Sequence, residues 1–332
     1  MSSATAPVTL ADLRTAFYTR VRDASSTAND TIVDHFLNVA LRDMHIAPIV
    51  MPWWALRRAS LITHAPYTTG TVAISASART TVTGTDTLWN TAVTGFGVNN
   101  AQAGGKMKFS GLNEIYTVSA VGSDTSITLE SRYTGDALTA GTYTYFEDEY
   151  SLAADFLGPA DARLFSSDRN IPFIGPMEFR RLVPRNDVAG RPRVATMIQL
   201  GFSGSTTPRP RVVLSPYPDT TYTIPYNYVT SYLAVTTGGT EQTSLTNTTD
   251  EPIVPFAYRM AIVYHALYHY YRDRKDDVRS QEAKAEYTEL MNRIANDSRI
   301  GQTDHPQFVT VRGKSYRRGR FDVGNRFDKL DW

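Results

Sequence analysis

Apolar residues near the N-terminus recur at spacings of three and four, the period of one face of an α-helix. The first such run comprises Leu10, Leu13, Phe17 and Val21. Thr9 precedes it and suits the N-cap position. A second run follows Asp30 as its cap and stops before Pro48, with an apolar stripe of Ile32, Phe36, Leu37, Val39, Leu41 and Met44. The pattern therefore predicts two amphipathic N-terminal helices.

Beyond residue 65 the period changes to two, and β-branched residues alternate with polar ones. Glycine, serine and aspartate turns separate the runs. The candidate strands are Thr71–Ser75, Arg79–Thr83, Lys106–Phe109, Glu114–Val121, Thr125–Glu130 and Gly141–Phe146. Residues 65–150 are thus predicted to form an all-β module, which is acidic because it holds four basic and eight acidic residues.

The middle of the chain carries weaker patterns. Pro159–Phe165 is compatible with a short helix, and Ile171–Pro192 predicts extended chain punctuated by prolines. Three alternating runs after it predict an antiparallel β-meander: Ala195–Phe202, Arg211–Leu214 and Thr221–Val229.

Two long helices are predicted towards the C-terminus. Pro252 and Pro255 suit the first turn of a helix that runs to Asp273, and a second helix spans Asp277–Ser298. Residues 301–332 show neither the helical nor the strand period, so we expect a C-terminal extension there.

These elements predict the α+β class, with a helical bundle core, an antiparallel β-rich insertion module and a β-meander. The bundle would combine the N-terminal helices with the C-terminal helix pair. The predicted domains are a core of residues 1–64 and 151–300, an inserted module of residues 65–150 and a basic extension of residues 301–332.

Composition excludes several classes of function. The 332 residues are 42% hydrophobic and 20% charged, which is typical of a folded globular protein. The absence of cysteine excludes disulfides, iron–sulfur ligation and thiol nucleophiles. A net charge of +1 gives no global attraction to nucleic acid or to an anionic membrane. We expect no secretion signal in Met1–Leu13 and no membrane span.

Candidate catalytic and metal-binding residues are few. His265 and His269 stand four apart on a predicted helix, the spacing at which two imidazoles can share a metal, but their aromatic neighbours favour packing. Glu147, Asp148 and Glu149 form the densest carboxylate run, which glycosidases would use in pairs. Adjacent strand residues point to opposite faces, so we interpret this run as a solvated strand end. Glycines at 95, 97, 104 and 105 lack the spacing of a phosphate loop.

Two segments suit contacts with other molecules. Trp53 and Trp54 are either a stacking platform for a ligand or anchors in a core or interface. The C-terminal extension carries five basic residues between 312 and 320 without an acid. This segment is either a solvated tail or a binding segment. Because guanidinium groups form paired hydrogen bonds with carboxylates and phosphates, we predict a partner-binding segment comprising Arg312, Lys314, Tyr316, Arg317, Arg318, Arg320, Phe321, Phe327 and Trp332.

The order of the elements resembles that of head-to-tail connector, or adaptor, proteins of tailed bacteriophages. The runs 71–89, 116–129 and 133–135 are similar to β-modules of phage structural proteins. The segments Glu178–Leu182 and Leu214–Asp219, with the closing helix pair, are similar to the longer adaptors. The likeness covers residues 8–300, and the basic extension carries nothing over from it.

The resemblance implies a structural virion protein without enzymatic activity or cofactor. Copies would assemble as a dodecameric ring that binds the portal protein on one side and a tail or nozzle protein on the other. Double-stranded DNA would pass through the lumen. The protein would be made in the bacterial host cytoplasm and reside in the neck of the virion, with no membrane partner.

Two other functions are compatible with the sequence. The β-module could bind receptors or glycans in a tail fibre or tailspike, which predicts a trimer. The chain could also be a cell-wall hydrolase of the injection apparatus, which predicts turnover of peptidoglycan. For the adaptor, we expect a monomer or weak oligomer that closes into a ring on the portal, because no continuous apolar face indicates strong self-association.

Overall fold

Helices lie at both ends of the described chain, and strands fill most of its middle. The computed structural model describes residues 7–21, 27–46, 53–93, 98–160, 163–165, 170–200 and 209–302. These residues include five α-helices: α1 (Leu10–Val21), α2 (Thr27–Ile46), α3 (Pro176–Leu182), α4 (Met260–Asp273) and α5 (Asp277–Gln302). Short 3₁₀ helices occupy Trp53–Ala55 and Phe256–Tyr258.

The strands are mostly short. In chain order they are β1 (Leu56–Ile62), β2 (Thr71–Ile74), β3 (Thr81–Thr85), β4 (Lys106–Phe109), β5 (Ile115–Ser123), β6 (Ser126–Leu129), β7 (Leu138–Gly141), β8 (Tyr143–Phe146), β9 (Glu149–Ser151), β10 (Phe156–Pro159), β11 (Arg163–Phe165), β12 (Asn170–Pro172), β13 (Val194–Leu200), β14 (Arg209–Ser215), β15 (Thr223–Thr230), β16 (Ala234–Val235), β17 (Glu241–Gln242) and β18 (Glu251–Pro252). They pair antiparallel within five sheets of the described chain. This mixture of helices and antiparallel sheets confirms the predicted α+β class.

Contacts divide the described residues into two compact units. One unit combines residues from 1–55 and 232–332, and the other contains residues from 56–231. Residues 151–231, which the predicted organisation assigns to the helical core, lie in the same unit as residues 65–150. The predicted folding domains stay a prediction.

The first unit contains helices α1, α2, α4 and α5 and the small sheet β17-β16-β18, and α4 contacts the other three helices. In α1 the predicted apolar positions Leu10, Leu13 and Phe17 are buried. The Thr9 cap is confirmed: its hydroxyl accepts a hydrogen bond from the Asp12 amide at 3.4 Å, and the Asp12 carboxylate accepts one from the Thr9 amide at 3.0 Å. This reciprocal pair fixes where α1 begins.

Asp30 is not the cap of the second helix, because α2 already begins at Thr27. Its carboxylate instead pairs with Arg14 at 3.2 Å and accepts a hydrogen bond from the Tyr18 hydroxyl at 2.7 Å. The side chain that suggested a helix start therefore connects α2 to α1.

The β-module contains a curled seven-stranded sheet in the order β7-β2-β3-β6-β5-β4-β8. All six predicted strands are present, and β7 was missed because Leu138–Gly141 shows no clear alternation of buried residues. Trp89 lies in the core, and its indole Nε1 donates a hydrogen bond to the Tyr143 hydroxyl at 2.9 Å. That hydroxyl donates in turn to the Thr69 carbonyl at 2.7 Å, so the buried polar groups are paired.

The predicted meander is confirmed for its first two strands, since β13 and β14 pair antiparallel, and is wrong for the third. The strand β14 lies between β13 and β9, whereas β15 lies between β1 and β10 in a different sheet. The partner of β15 is distant in sequence, with Leu56 opposite Val229 and Ile62 opposite Thr223. Alternation predicts which residues form a strand but not which strand it pairs with.

Two local predictions in the middle of the chain are also wrong. The expected helix at Pro159–Phe165 is replaced by the end of β10 and by β11, where Leu164 pairs with Ile171 and both are fully buried. The expected extended run Ile171–Pro192 contains the helix α3, which begins at Pro176 and buries Phe179. Proline at the first helical turn lacks only a hydrogen bond that would be absent there anyway.

The two C-terminal helices are present, with shifted limits. Pro252 lies in β18, and Pro255 precedes the 3₁₀ turn that leads into α4 at Met260. The last helix continues four residues beyond Ser298, to Gln302. Within the part of the chain that the structure describes, no helix is both long and apolar enough to cross a bilayer.

Candidate functional site

The predicted partner-binding residues from Arg312 to Trp332 lie outside the described residues, as do the glycines at 95 and 97. Trp53 and Trp54 are both described, and they lie in different environments. Trp54 is buried and stacks on Tyr258 with ring centroids 5.8 Å apart, whereas Trp53 is exposed. Trp54 is therefore a core anchor, and only Trp53 is accessible to a ligand.

The carboxylates of residues 147–149 are not a solvated strand end. The turn between β8 and β9 carries Glu147 and Asp148 inward, and Asp148 is buried. Alternation along the chain still holds, since Glu147 and Glu149 line one cavity of about 330 Å³ that Asp148 does not reach. Alternation along the sequence predicts which of these carboxylates share a face. Their burial, however, depends on strands that are distant in sequence.

Glu149 is held by two cations. Its Oε1 lies 3.0 Å from Lys106 Nζ on β4, and its Oε2 lies 3.8 Å from an Arg211 guanidinium nitrogen on β14. All three side chains are largely buried. The two ion pairs of Glu149 therefore connect the seven-stranded sheet to the sheet β13-β14-β9.

Glu147 is held by hydroxyl and amide groups. The Tyr145 hydroxyl donates a hydrogen bond to its Oε1 at 2.8 Å, and the Gln102 side-chain amide donates another at 3.4 Å. Burial raises the pKa of this carboxyl, although Tyr145 and Arg211 oppose the shift. Burial also raises the pKa of Tyr145, so its hydroxyl stays a donor at neutral pH.

Asp148 is the least satisfied member of the run. Its Oδ2 accepts a hydrogen bond from the Asn186 side chain at 3.1 Å, whereas its Oδ1 is sealed from solvent with no hydrogen-bond partner among the described residues. Burial raises the pKa of Asp148 to about 6, against the opposing charge of Lys106. Such a shift is typical of a carboxyl that the fold keeps away from water, because its charged form then loses solvation.

Two glycines beside this cluster are required by its geometry. A Cβ on Gly105 would lie 2.1 Å from the Tyr145 hydroxyl, which is closer than any real contact. Gly104 has a φ of +91°, and a Cβ there would lie 3.0 Å from the Arg211 guanidinium. The Gly104-Gly105-Lys106 run thus lets the loop approach Tyr145 and Arg211.

The two histidines on α4 have a third partner that the sequence did not indicate. Asp43 on α2 places its Oδ2 3.5 Å from His269 Nε2 and 4.0 Å from His265 Nδ1. The side chains of His265 and His269 are 12% and 18% exposed, in agreement with the predicted packing. The Tyr287 ring of α5 covers His265, with centroids 4.2 Å apart.

Burial keeps both imidazoles uncharged at neutral pH. Burial, with a smaller contribution from His269, lowers the pKa of His265 to about 4 despite the opposing charge of Asp43. Burial also lowers the pKa of His269, again against Asp43. Each ring therefore keeps one nitrogen lone pair at neutral pH.

Two large apolar side chains are exposed on α3. Met177 is 88% exposed and Leu182 is 56% exposed, and the exposed Arg180 and Arg181 lie between them in sequence. We call this surface, defined by these four residues, the α3 surface. Methionine and arginine are enriched where protein interfaces form.

No protein-family model matches this chain. A search of curated proteins also finds no match. Function must therefore be proposed from the residues and their geometry.

Proposed function

We propose that the protein is a structural component of a phage virion, an adaptor that forms the ring between the capsid portal and the tail. The resemblance in element order supports this proposal, and so does the α3 surface, three of whose four residues lie in the segment Glu178–Leu182 that carries part of the resemblance. DNA would pass through the lumen of the ring. Assembly would take place in the host cytoplasm.

The finer architecture belongs to the same proposal. Helices α1, α2, α4 and α5 would form the bundle core of each subunit, and the β-module would be an insertion. Neighbouring subunits would contact each other in a head-to-tail manner, which closes into a ring when the rotation between copies allows it. We propose twelve copies.

The observation that carries the proposal is the exposure of large apolar side chains on the α3 surface. A Met or Leu side chain contributes about 1.5–3 kcal/mol when it is fully buried. Exposing two of them on a seven-residue helix forgoes that stabilisation in the single chain. A neighbouring subunit or the portal would recover it.

Paired variants test the role of the α3 surface. Met177→Asp with Leu182→Asp should leave the far-ultraviolet circular dichroism unchanged and abolish rings in negative-stain images of the chain coexpressed with the portal from its own genome. The control, Met177→Leu with Leu182→Met, keeps the surface apolar and should still form rings. Normal rings from the aspartate variant would contradict this role.

The C-terminal extension is proposed to dock on the portal or on a neighbouring subunit through Arg312–Arg320 and the aromatics that follow. Truncation after Gln302, where α5 ends, should leave a folded protein that fails to join portal rings. Unchanged assembly of the truncated chain would refute this docking role.

Sedimentation of the isolated full-length chain separates the adaptor from the alternative. We expect a monomer or a weak oligomer at micromolar concentration. A stable trimer would instead favour the receptor- or glycan-binding tail fibre.

A further inference from the structure

Three potential metal ligands meet between helices α2 and α4. Asp43 Oδ2, one nitrogen of His265 and one nitrogen of His269 all lie within 4.8 Å of one another. The i, i+4 spacing on α4 puts the two imidazoles on one helix face, and α2 supplies the carboxylate. No other set of three or more such residues was found among the described residues.

The two nitrogens that face Asp43 make no well-formed hydrogen bond to any described residue. His265 Nδ1 and His269 Nε2 are both sealed from solvent, and no described atom completes a hydrogen bond with either. The Asp43 oxygen at 3.5 Å from His269 and 4.0 Å from His265 is too distant for a good hydrogen bond. Leaving buried polar atoms unpaired costs free energy, and a bound ligand would recover it.

We propose that Asp43, His265 and His269 bind a divalent transition metal ion, of which zinc is the best fit. Two imidazole nitrogens and one carboxylate oxygen are ligands that zinc takes in three-ligand sites, with water in the fourth position. Magnesium and calcium prefer oxygen ligands and fit this set poorly. This site is independent of the proposed adaptor function.

The observed spacing is close to what a tetrahedral ion needs. Metal–ligand distances of about 2.1 Å place tetrahedral ligand atoms about 3.4 Å apart. The His269–Asp43 distance of 3.5 Å already meets this value, and the His265–Asp43 distance of 4.0 Å exceeds it by less than 1 Å. Rotation of the Asp43 side chain, which is 42% exposed, would close this gap, and the two imidazole nitrogens, which lie within 4.8 Å of each other, would also move closer around the ion.

Asp43 makes the site accessible from solvent, and Tyr287 restricts the movement of one of its histidines. The exposed Asp43 carboxylate offers an ion a route from solvent to the buried nitrogens. Tyr287 stacks against His265 and limits rotation of that ring, as groups around metal ligands commonly do. A bound ion would therefore connect α2 to α4 and hold the N-terminal and C-terminal parts of the helical unit together.

Calorimetric titration of the chelator-treated full-length chain with Zn²⁺ tests the site. We expect one saturable site per chain, and Co²⁺ should give the visible absorption of a four-coordinate ion. His265→Gln with His269→Gln should abolish this binding, and Asp43→Asn alone should weaken it by about tenfold or more.

Matched controls are His35→Gln, an exposed histidine on the same helix as Asp43, and Asp273→Asn, an exposed carboxylate at the end of α4. Both should bind Zn²⁺ as the unchanged chain does. Circular dichroism of every variant checks that the helices remain, and Asp43→Asn, at the exposed position, covers the case in which the double histidine variant does not fold.

Two results would overturn the proposal. Undiminished Zn²⁺ binding by the folded Asp43→Asn or double histidine variant would place the ion elsewhere in the chain. The absence of saturable binding in the unchanged chain would mean that the three residues only pack together.

Discussion

The carboxylate run at 147–149 and the two histidines beside Asp43, His265 and His269, are both largely withdrawn from solvent, but their polar atoms are satisfied differently. Glu149 has Lys106 and Arg211 as partners, and Glu147 accepts hydrogen bonds from a hydroxyl and an amide. In the second cluster, two ring nitrogens make no well-formed hydrogen bond to any residue that the structure describes.

The comparison separates a structural role from a binding role. Glu149 and Glu147 are paired within the chain and have little left to offer a ligand, whereas Asp148 keeps one buried oxygen without a hydrogen-bond partner among the described residues. Glu149 therefore serves mainly to join two sheets. A buried lone pair without a partner is available to an electrophile that fits the space. Perturbed pKa values and unpaired buried atoms occur in both clusters, and therefore the convergence of two imidazole nitrogens and a carboxylate oxygen, rather than the pKa shift, distinguishes the histidine cluster.

The largest effect is expected from breaking the Lys106–Glu149 pair. Lys106→Met should lower the free energy of unfolding by about 3 kcal/mol, because it leaves a buried carboxylate with only the more distant Arg211. Adding Glu149→Gln should recover part of this loss, since the unpaired charge is removed. Urea denaturation of the two single variants and the double variant measures the coupling.

An exposed ion pair provides the control for that experiment. Arg293 and Glu289 form a salt bridge on α5 in which both side chains are mostly exposed. Arg293→Met should cost about 0.5 kcal/mol or less. If Lys106→Met and Arg293→Met lower the free energy of unfolding equally, the Lys106–Glu149 pair does not behave as a buried ion pair.

The next effect concerns the histidine cluster. At about 100 times its Kd, Zn²⁺ should raise the free energy of unfolding by about 2.7 kcal/mol, because it binds only the folded chain. Mg²⁺ at the same concentration should have no such effect. Thermal or chemical denaturation with and without each ion measures the difference, and stabilisation of the double histidine variant by Zn²⁺ would contradict the assignment.

A smaller effect is expected from the pH dependence of Asp148. Its pKa is about 6 in the fold and lies above that of an unfolded aspartate, so the folded state binds more protons between these values. The carboxyl therefore destabilises the fold increasingly as pH rises from about 4 to about 6. The stability advantage of Asp148→Asn over the unchanged chain should shrink by about 1 kcal/mol between pH 7 and pH 5.

Denaturation at several pH values measures this advantage. Asp136→Asn, an exposed carboxylate in the same β-module, is the control. A constant difference between Asp148→Asn and the unchanged chain would contradict the burial of this carboxyl charge.

Sequence patterns predicted local structure better than pairing. The helix at Leu10–Val21 and the strand at Lys106–Phe109 matched their predicted limits, because burial of one face repeats at the period of the element. The meander failed for its third strand because β15 pairs with β1, about 160 residues earlier in the chain. Short apolar runs such as β11 were mistaken for helix, since their pairing partner and not their own period decides the conformation.

The candidate sites show the same difference between what local spacing predicts and what tertiary contacts decide. The i, i+4 spacing of His265 and His269 was visible in the sequence, but nothing near Asp43 marks it as their neighbour. Burial of Glu147 and Asp148 was missed for the same reason, since Lys106, Asn186 and Arg211 arrive from other strands and loops. Residue type and spacing predict which groups can do chemistry, whereas tertiary contacts decide which groups meet.

The smallest effect is expected when Asp43 is changed without any metal present. Its carboxylate is 42% exposed and lies 3.5 Å or more from the two neutral imidazoles, so it contributes little to the ion-free fold. In the presence of a chelator, Asp43→Asn should alter the free energy of unfolding by about 0.5 kcal/mol or less. With Zn²⁺ added, the unchanged chain should gain stability that the variant does not. Denaturation in both conditions measures the two differences. A loss of several kcal/mol in the chelator alone would mean that Asp43 already stabilises the helices in the way that Lys106 stabilises the sheets, and the contrast between the two clusters would fail.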